Sequence, residues 1–169
     1  MSARDKIFTR GAGDKVNYSD MIQAIKDFIV ASPNSEYELT VGTDSQTHEK
    51  CRMVEVIALH RIGHGGIFFY RVDYVRKIKS LKEKIVEETS RSLENASGLL
   101  DDVQLQLLEE GIDIDDLNIH FIIHCDIGHE GKTQALIKEI VSWVHSAGYE
   151  CQIKPDSYAA SGIANKISK

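Results

Sequence analysis

A chain of 169 residues, 42% apolar, 7% aromatic and 27% charged, has the make-up of one globular domain able to bury a real core. Its net charge of −6 excludes a surface built solely for non-specific attraction to nucleic acid, although acids gathered at a metal site would lower the sum. Three cysteines (Cys51, Cys125, Cys151), an odd count without a CxxC pair, argue against a disulfide framework and a zinc knuckle. With no basic-then-apolar leader and no apolar run of spanning length, the chain reads as cytoplasmic with no membrane partner.

Residues 1–17 read as a loosely ordered lead-in to which Ile7-Phe8 adds at most a short edge strand. Ser19 offers an N-cap, and Met21, Ile22, Ile25, Phe28 and Ile29 recur at helical spacing until Ser32-Pro33 stops the helix. This helix, over 18–32, reads as appended within a single domain running from 18 to 169 and packing against its main body; a homodimer through it is left open. From Glu38 the period becomes that of strands. Leu39–Asp44, Met53–Ile62 and Ile67–Val75 have short connections, Gly63-His64-Gly65-Gly66 among them, as in an antiparallel meander. Ser80 caps a helical stretch from Leu81 to about Glu110, broken near Gly98, with Leu81, Ile85, Thr89, Leu93, Ala96 and Leu100 facing inward. Leu117–Asp126 reads as a central parallel strand buried on both faces. A helix over Lys132–Ser146, a strand over Tyr149–Ile153, a break at Pro155 and a final helix over Ser157–Lys169 complete the chain. The order predicts an α/β fold: a mixed five-stranded sheet, three strands antiparallel and two parallel, with helices on both faces.

Three of the strands run into an acid: Asp44, Asp126 and Asp156. A carboxylate ending a buried strand is either a turn residue or a group that needs a partner. If Leu39–Asp44 and Leu117–Asp126 are adjacent and parallel, their carboxyl ends open on one sheet edge, where α/β folds place ligands. Two acids there repel and call for a cation, and all-oxygen donors point to Mg²⁺ or Mn²⁺ rather than zinc. A third carboxylate comes from the long helix. Glu88 lies at the border of its buried face, whereas Glu87 shares a wetter stripe with Lys84, Arg91 and Asn95. Asp156, the fourth, is equally placed to cap the last helix. Asp44, Glu88, Asp126 and Asp156 would then be both metal ligands and catalytic groups of a two-metal phosphodiesterase. A separation above about 8 Å between Asp44 and Asp126 excludes it.

Around these acids, Ser45, Gln46 and His124 are candidate substrate contacts, His124 because it shares a strand face with Asp126; His129 also flanks that acid. His60 and His120 read as partly buried strand histidines. Lys154 either meets a phosphate or balances the acids. Gly131-Lys132-Thr133 completes a near match to the phosphate loop G-x-x-x-x-G-K-[ST], with Asp126 in place of the first glycine. A carboxylate opposes a triphosphate, so the milder use is a substrate phosphate bound by Gly131, Lys132 and Thr133; a nucleotide binder is the alternative. Arg71–Lys84 is basic, as a backbone-tracking segment or a solvated loop.

Val41-Gly42-Thr43-Asp44-Ser45-Gln46, Glu88-Thr89, Asp126-Ile127-Gly128 with Gly131-Lys132-Thr133, and Lys154-Pro155-Asp156-Ser157-Tyr158-Ala159-Ala160-Ser161 resemble the YkuK-type family, bacterial ribonuclease H-like proteins predicted to be nucleases. The resemblance implies the ribonuclease H-like fold, a nucleic-acid partner (RNA, DNA or a hybrid) and a metal-bound carboxylate cluster onto which Asp44, Glu88, Asp126 and Asp156 map. Asn165 stands where an aspartate is more usual. If that aspartate is the last-helix ligand, cleavage is weakened or lost, and a non-catalytic module that binds nucleic acid or protein is the alternative.

Overall fold

Alternation along one long strand sets the layers of this fold: Tyr37, Leu39 and Val41 turn to one side, Glu38, Thr40 and Gly42 to the other. The structure, a computed structural model, describes residues 2–47 and 49–154. In chain order these form β1 (Ile7–Arg10), β2 (Lys15–Asn17), α1 (Tyr18–Val30), β3 (Glu36–Thr47), β4 (Cys51–Arg61), β5 (Gly66–Val75), α2 (Leu81–Ala96), α3 (Leu99–Glu109), β6 (Asn118–His124), α4 (Ile137–Ser146) and β7 (Glu150–Gln152). One sheet has the order β2-β1-β5-β4-β3-β6-β7. β3 pairs parallel with β6 and β6 with β7; the remaining neighbours are antiparallel.

The five expected strands are all present, and the lead-in supplies two more, making seven. Instead of lying loose, residues 7–10 and 15–17 form a hairpin that extends the meander along β5. Gly13 closes its turn at φ +108°, and Gly11 packs so near the Phe68 ring that a Cβ would stand 2.8 Å from it. Phe8 is fully buried. α1 starts one residue after Asn17, whose side chain accepts from the Asp20 amide at 2.8 Å, so the cap is Asn17 and not Ser19. Ser80 caps α2 as expected, accepting from the Glu83 amide at 3.1 Å, and Gly98 at φ +76° breaks the helical stretch. β6 is buried only over Ile122–His124; its first half is exposed or half-buried, and His120 stands out at the surface 3.8 Å from Glu36. His60 is half-buried, as read.

The core fills the side of the sheet carrying Tyr37, Leu39, Val41, Ile57, Leu59, Phe69 and Ile123. Ile25 and Ile29 of α1, Ile85 of α2, Val103 and Leu107 of α3, and Ile140 and Val144 of α4 close over it. Burying each such side chain contributes about 1.5–3 kcal/mol. Val54 and Val56 head a smaller cluster of their own with Ala58, Tyr70 and Val72. The final helix expected over Ser157–Lys169 lies outside the described residues. Among those residues, no helix is long and apolar enough to cross a membrane.

One charged network ties the N-terminus to the sheet. Glu55 of β4, entirely buried, accepts from Lys6 Nζ at 2.6 Å, Asn95 Nδ2 at 2.8 Å, Arg71 Nη1 at 2.9 Å and Arg91 Nη1 at 3.1 Å. Arg91 also reaches Asp73 at 2.9 Å and Glu87 at 2.8 Å. The stripe of α2 that reads as wet in the sequence therefore packs onto β4, because Glu55 gives Arg91 and Asn95 a buried partner. Burial alone would raise the Glu55 pKa, but Lys6 and Asn95, then Arg71, outweigh it and hold the carboxyl below its ordinary 4.5.

Lys6→Met leaves Glu55 short of its shortest contact, and urea unfolding should show a loss of about 3 kcal/mol. Because the folded pKa of Glu55 lies below the unfolded one, its stabilisation is in place above about pH 4.5 and is lost as pH falls through the folded value. Unfolding free energy measured from pH 6 to 3 should therefore drop less steeply in Glu55→Gln, from a lower starting stability, than in the wild type.

Candidate metal centre

The β3–β6 ladder ends where Gly42 faces His124. β3 runs on to Thr47, held by an unbroken antiparallel register with β4, so Asp44 lies two residues past its last β6 neighbour. The chain leaving β6 carries Asp126 into that gap. Alternation turns Thr43 and Ser45 toward α2: Thr43 Oγ1 and Ser92 Oγ are 2.9 Å apart, and Ser45 Oγ donates to Glu88 Oε2 at 2.9 Å. Asp44 points to the other side of the strand, and the gap beyond β6 lets α2 bring Glu88 to it. Carboxylate oxygens of Asp44, Glu88 and Asp126 all lie within 4.8 Å of one another. That is well inside the 8 Å limit, and close to the about 3–4 Å between ligands on one octahedral ion.

Burial dominates the electrostatics. Asp44 is 8% and Glu88 4% exposed. Burial, with Asp44 and Asp126 adding to it against Lys84, pushes the Glu88 carboxyl up to about 8. Burial and then the Asp126 charge raise Asp44, and Lys84 again opposes. Lys84 sits four residues before Glu88 on α2, a spacing that brings it to Glu88 although it also borders the wetter stripe of the helix. Lys154 Nζ lies 2.8 Å from Asp126 Oδ1, and that bond raises the lysine pKa. Glu88 Oε1 is buried and, among the described residues, makes no hydrogen bond. An orphaned carboxylate oxygen beside two further carboxylates fits a hard divalent cation, and the donor set, all oxygen, suits Mg²⁺ or Mn²⁺.

The other expected residues are distributed around this triad. Gln46 is half-buried one residue beyond Ser45, and His124 is buried on the Asp44 side of the sheet. His129, Gly131 and Lys132 are exposed. The helix expected from Lys132 begins at Ile137, after a single 3-10 turn over Gln134–Leu136. Gly131 at φ +85° and Thr133 Oγ1, which accepts from the Gly128 amide at 3.0 Å, fold the stretch into a loop. Gly-Lys-Thr therefore precedes α4 and does not form its first turn, so the helix N-terminus of a nucleotide loop is missing. Asp156 and Asn165 lie outside the described residues.

A family model described as Ribonuclease H-like matches residues 20–169. The chain is similar to a protein of Bacillus subtilis (strain 168) named Uncharacterized protein YkuK, at 37% identity over 166 residues, covering 92% of each chain. No solved structure matches it.

Glu88 supplies a stability test. Its folded pKa of about 8 exceeds the ordinary 4.5, so the protonated form favours the fold: that contribution is whole below about pH 4.5 and is lost as pH rises to about 8. In EDTA, the wild-type melting temperature should fall across this window, and Glu88→Gln should remove that part of the fall.

Proposed function

Because the chain belongs to the ribonuclease H-like family, in its YkuK-type branch, we propose that it is a divalent-metal-dependent nuclease whose ions are held by Asp44, Glu88 and Asp126. The observation that carries this reading is the meeting of three carboxylates from β3, α2 and the chain after β6, with Glu88 Oε1 buried and without a hydrogen bond among the described residues. When bound, Mg²⁺ or Mn²⁺ would activate water and stabilise the leaving oxygen of a phosphodiester.

The chain's own groups prepare that chemistry. Ser45 fixes one Glu88 oxygen and leaves the other available to a cation. Lys84 offsets part of the repulsion among the three acids. Asp156, outside the described residues, is proposed as the fourth ligand on the resemblance of its motif alone. Arg76, Lys77, Lys79 and Lys82, all exposed, lead from β5 into the helix that carries Glu88 and track the phosphate backbone. Ser45, Gln46, His124 and the Gly131-Lys132-Thr133 loop contact the nucleotides at the cleavage point.

Cleavage of end-labelled RNA–DNA hybrid, single-stranded RNA and single-stranded DNA tests this. Product should form with Mg²⁺ or Mn²⁺, vanish with EDTA, and fall by about 100-fold or more in Asp44→Asn and in Asp126→Asn, a loss of about 2.7 kcal/mol in transition-state stabilisation. Absence of divalent-dependent product from every substrate would contradict the nuclease reading.

A further inference from the structure

Asp126 already has a cation within reach, supplied by the chain itself. Lys154 follows β7, and its amide donates to the Ile127 carbonyl at 2.8 Å, locking its backbone to the segment that carries Asp126. The approach is close enough that a Cβ on Gly128 would stand 3.0 Å from the Lys154 Cβ. From this anchor the ammonium reaches Asp126 Oδ1 at 2.8 Å, yet its side chain is 54% exposed. With Gly128, His129 and Glu130 it also lines a cavity of about 530 Å³. The lysine thus has a fixed base, a mobile four-carbon stem and open space for its head to move into.

A divalent ion bound by the triad needs the same Asp126 carboxylate, and its charge repels the ammonium. We infer that Lys154 is a displaceable internal cation: its ammonium and the metal compete for Asp126, so that this residue sets the metal concentration at which the site fills. The inference rests on the metal-site reading above. It goes beyond phosphate contact or charge balance, because it predicts that removing a polar side chain tightens metal binding. A lysine that merely positioned Asp126 for the metal would have the opposite effect, since its loss would leave the carboxylate free to wander.

Mn²⁺ binding measured by electron paramagnetic resonance on the wild type, Lys154→Met and Lys154→Arg separates these cases, with circular dichroism melts to verify folding. Lys154→Met should bind Mn²⁺ roughly five- to ten-fold more tightly than the wild type, as expected for removal of one partly solvated competing charge. Lys154→Arg, which keeps the charge, should stay near the wild-type value. Equal or weaker binding by folded Lys154→Met, with the wild type binding normally, overturns this inference and leaves the metal site standing. A folded wild type that binds no Mn²⁺ overturns the metal-site reading itself, and the inference with it.

Discussion

The parallel pairing of β3 with β6 is the constraint on which the site depends. It fixes Gly42 opposite His124 and then stops, leaving Asp44 beside a gap that the chain carrying Asp126 enters. A slip of one residue would send every β3 side chain to the opposite face, taking Leu39 and Val41 out of the core and Ser45 away from Glu88. The apolar face of β3 and its acid therefore hold each other in register: the core residues choose the alignment and the carboxylate inherits its position. Eleven residue pairs with β4 on the other side keep β3 from yielding to the repulsion that the gathered acids create.

Two clusters of charge share α2, and the contrast between them separates stability from chemistry. Glu55 is surrounded by Lys6, Arg71, Arg91 and Asn95, and each of its oxygens is engaged. Such a network stabilises because every buried charge is paired and hydrogen-bonded. Glu88, less than two turns earlier on the same helix as Arg91 and Asn95, has one oxygen held by Ser45 and the other without a hydrogen bond among the described residues. An incompletely satisfied buried carboxylate is costly to a fold and persists where function requires it. The helix is thus pinned at one end of its contact with the sheet and left electrostatically unfinished at the other.

Much of this was legible in the sequence, for identifiable reasons. The β-branched run into Asp44 and the apolar run into Asp126 announced strands that end on acids, and helical phase alone distinguished Glu88 from Glu87. Ser80 and Gly98 marked a cap and a break by local chemistry. What stayed hidden depends on distant partners. Lys6 looks like part of a loose lead-in because Glu55, its reason for being buried, lies 49 residues away. Arg91 and Asn95 look wet for the same reason. The hairpin of β1 and β2 is too short for periodicity to register, and Asn17 outcompetes Ser19 as a cap because the turn of β2 into α1 places its side chain over the Asp20 amide. The Gly-Lys-Thr motif misled in the other direction, since composition suggested a helix start that Thr133 and Gly131 spend on a loop.

The central claim is that Asp44, Glu88 and Asp126 together hold a divalent ion. Anomalous scattering from crystals grown with Mn²⁺ tests it most directly. The account predicts a peak at oxygen-ligand distance, about 2.0–2.2 Å, from carboxylates of all three residues. Mn²⁺ absent from that cluster, or bound only at acids elsewhere on the surface, would contradict it.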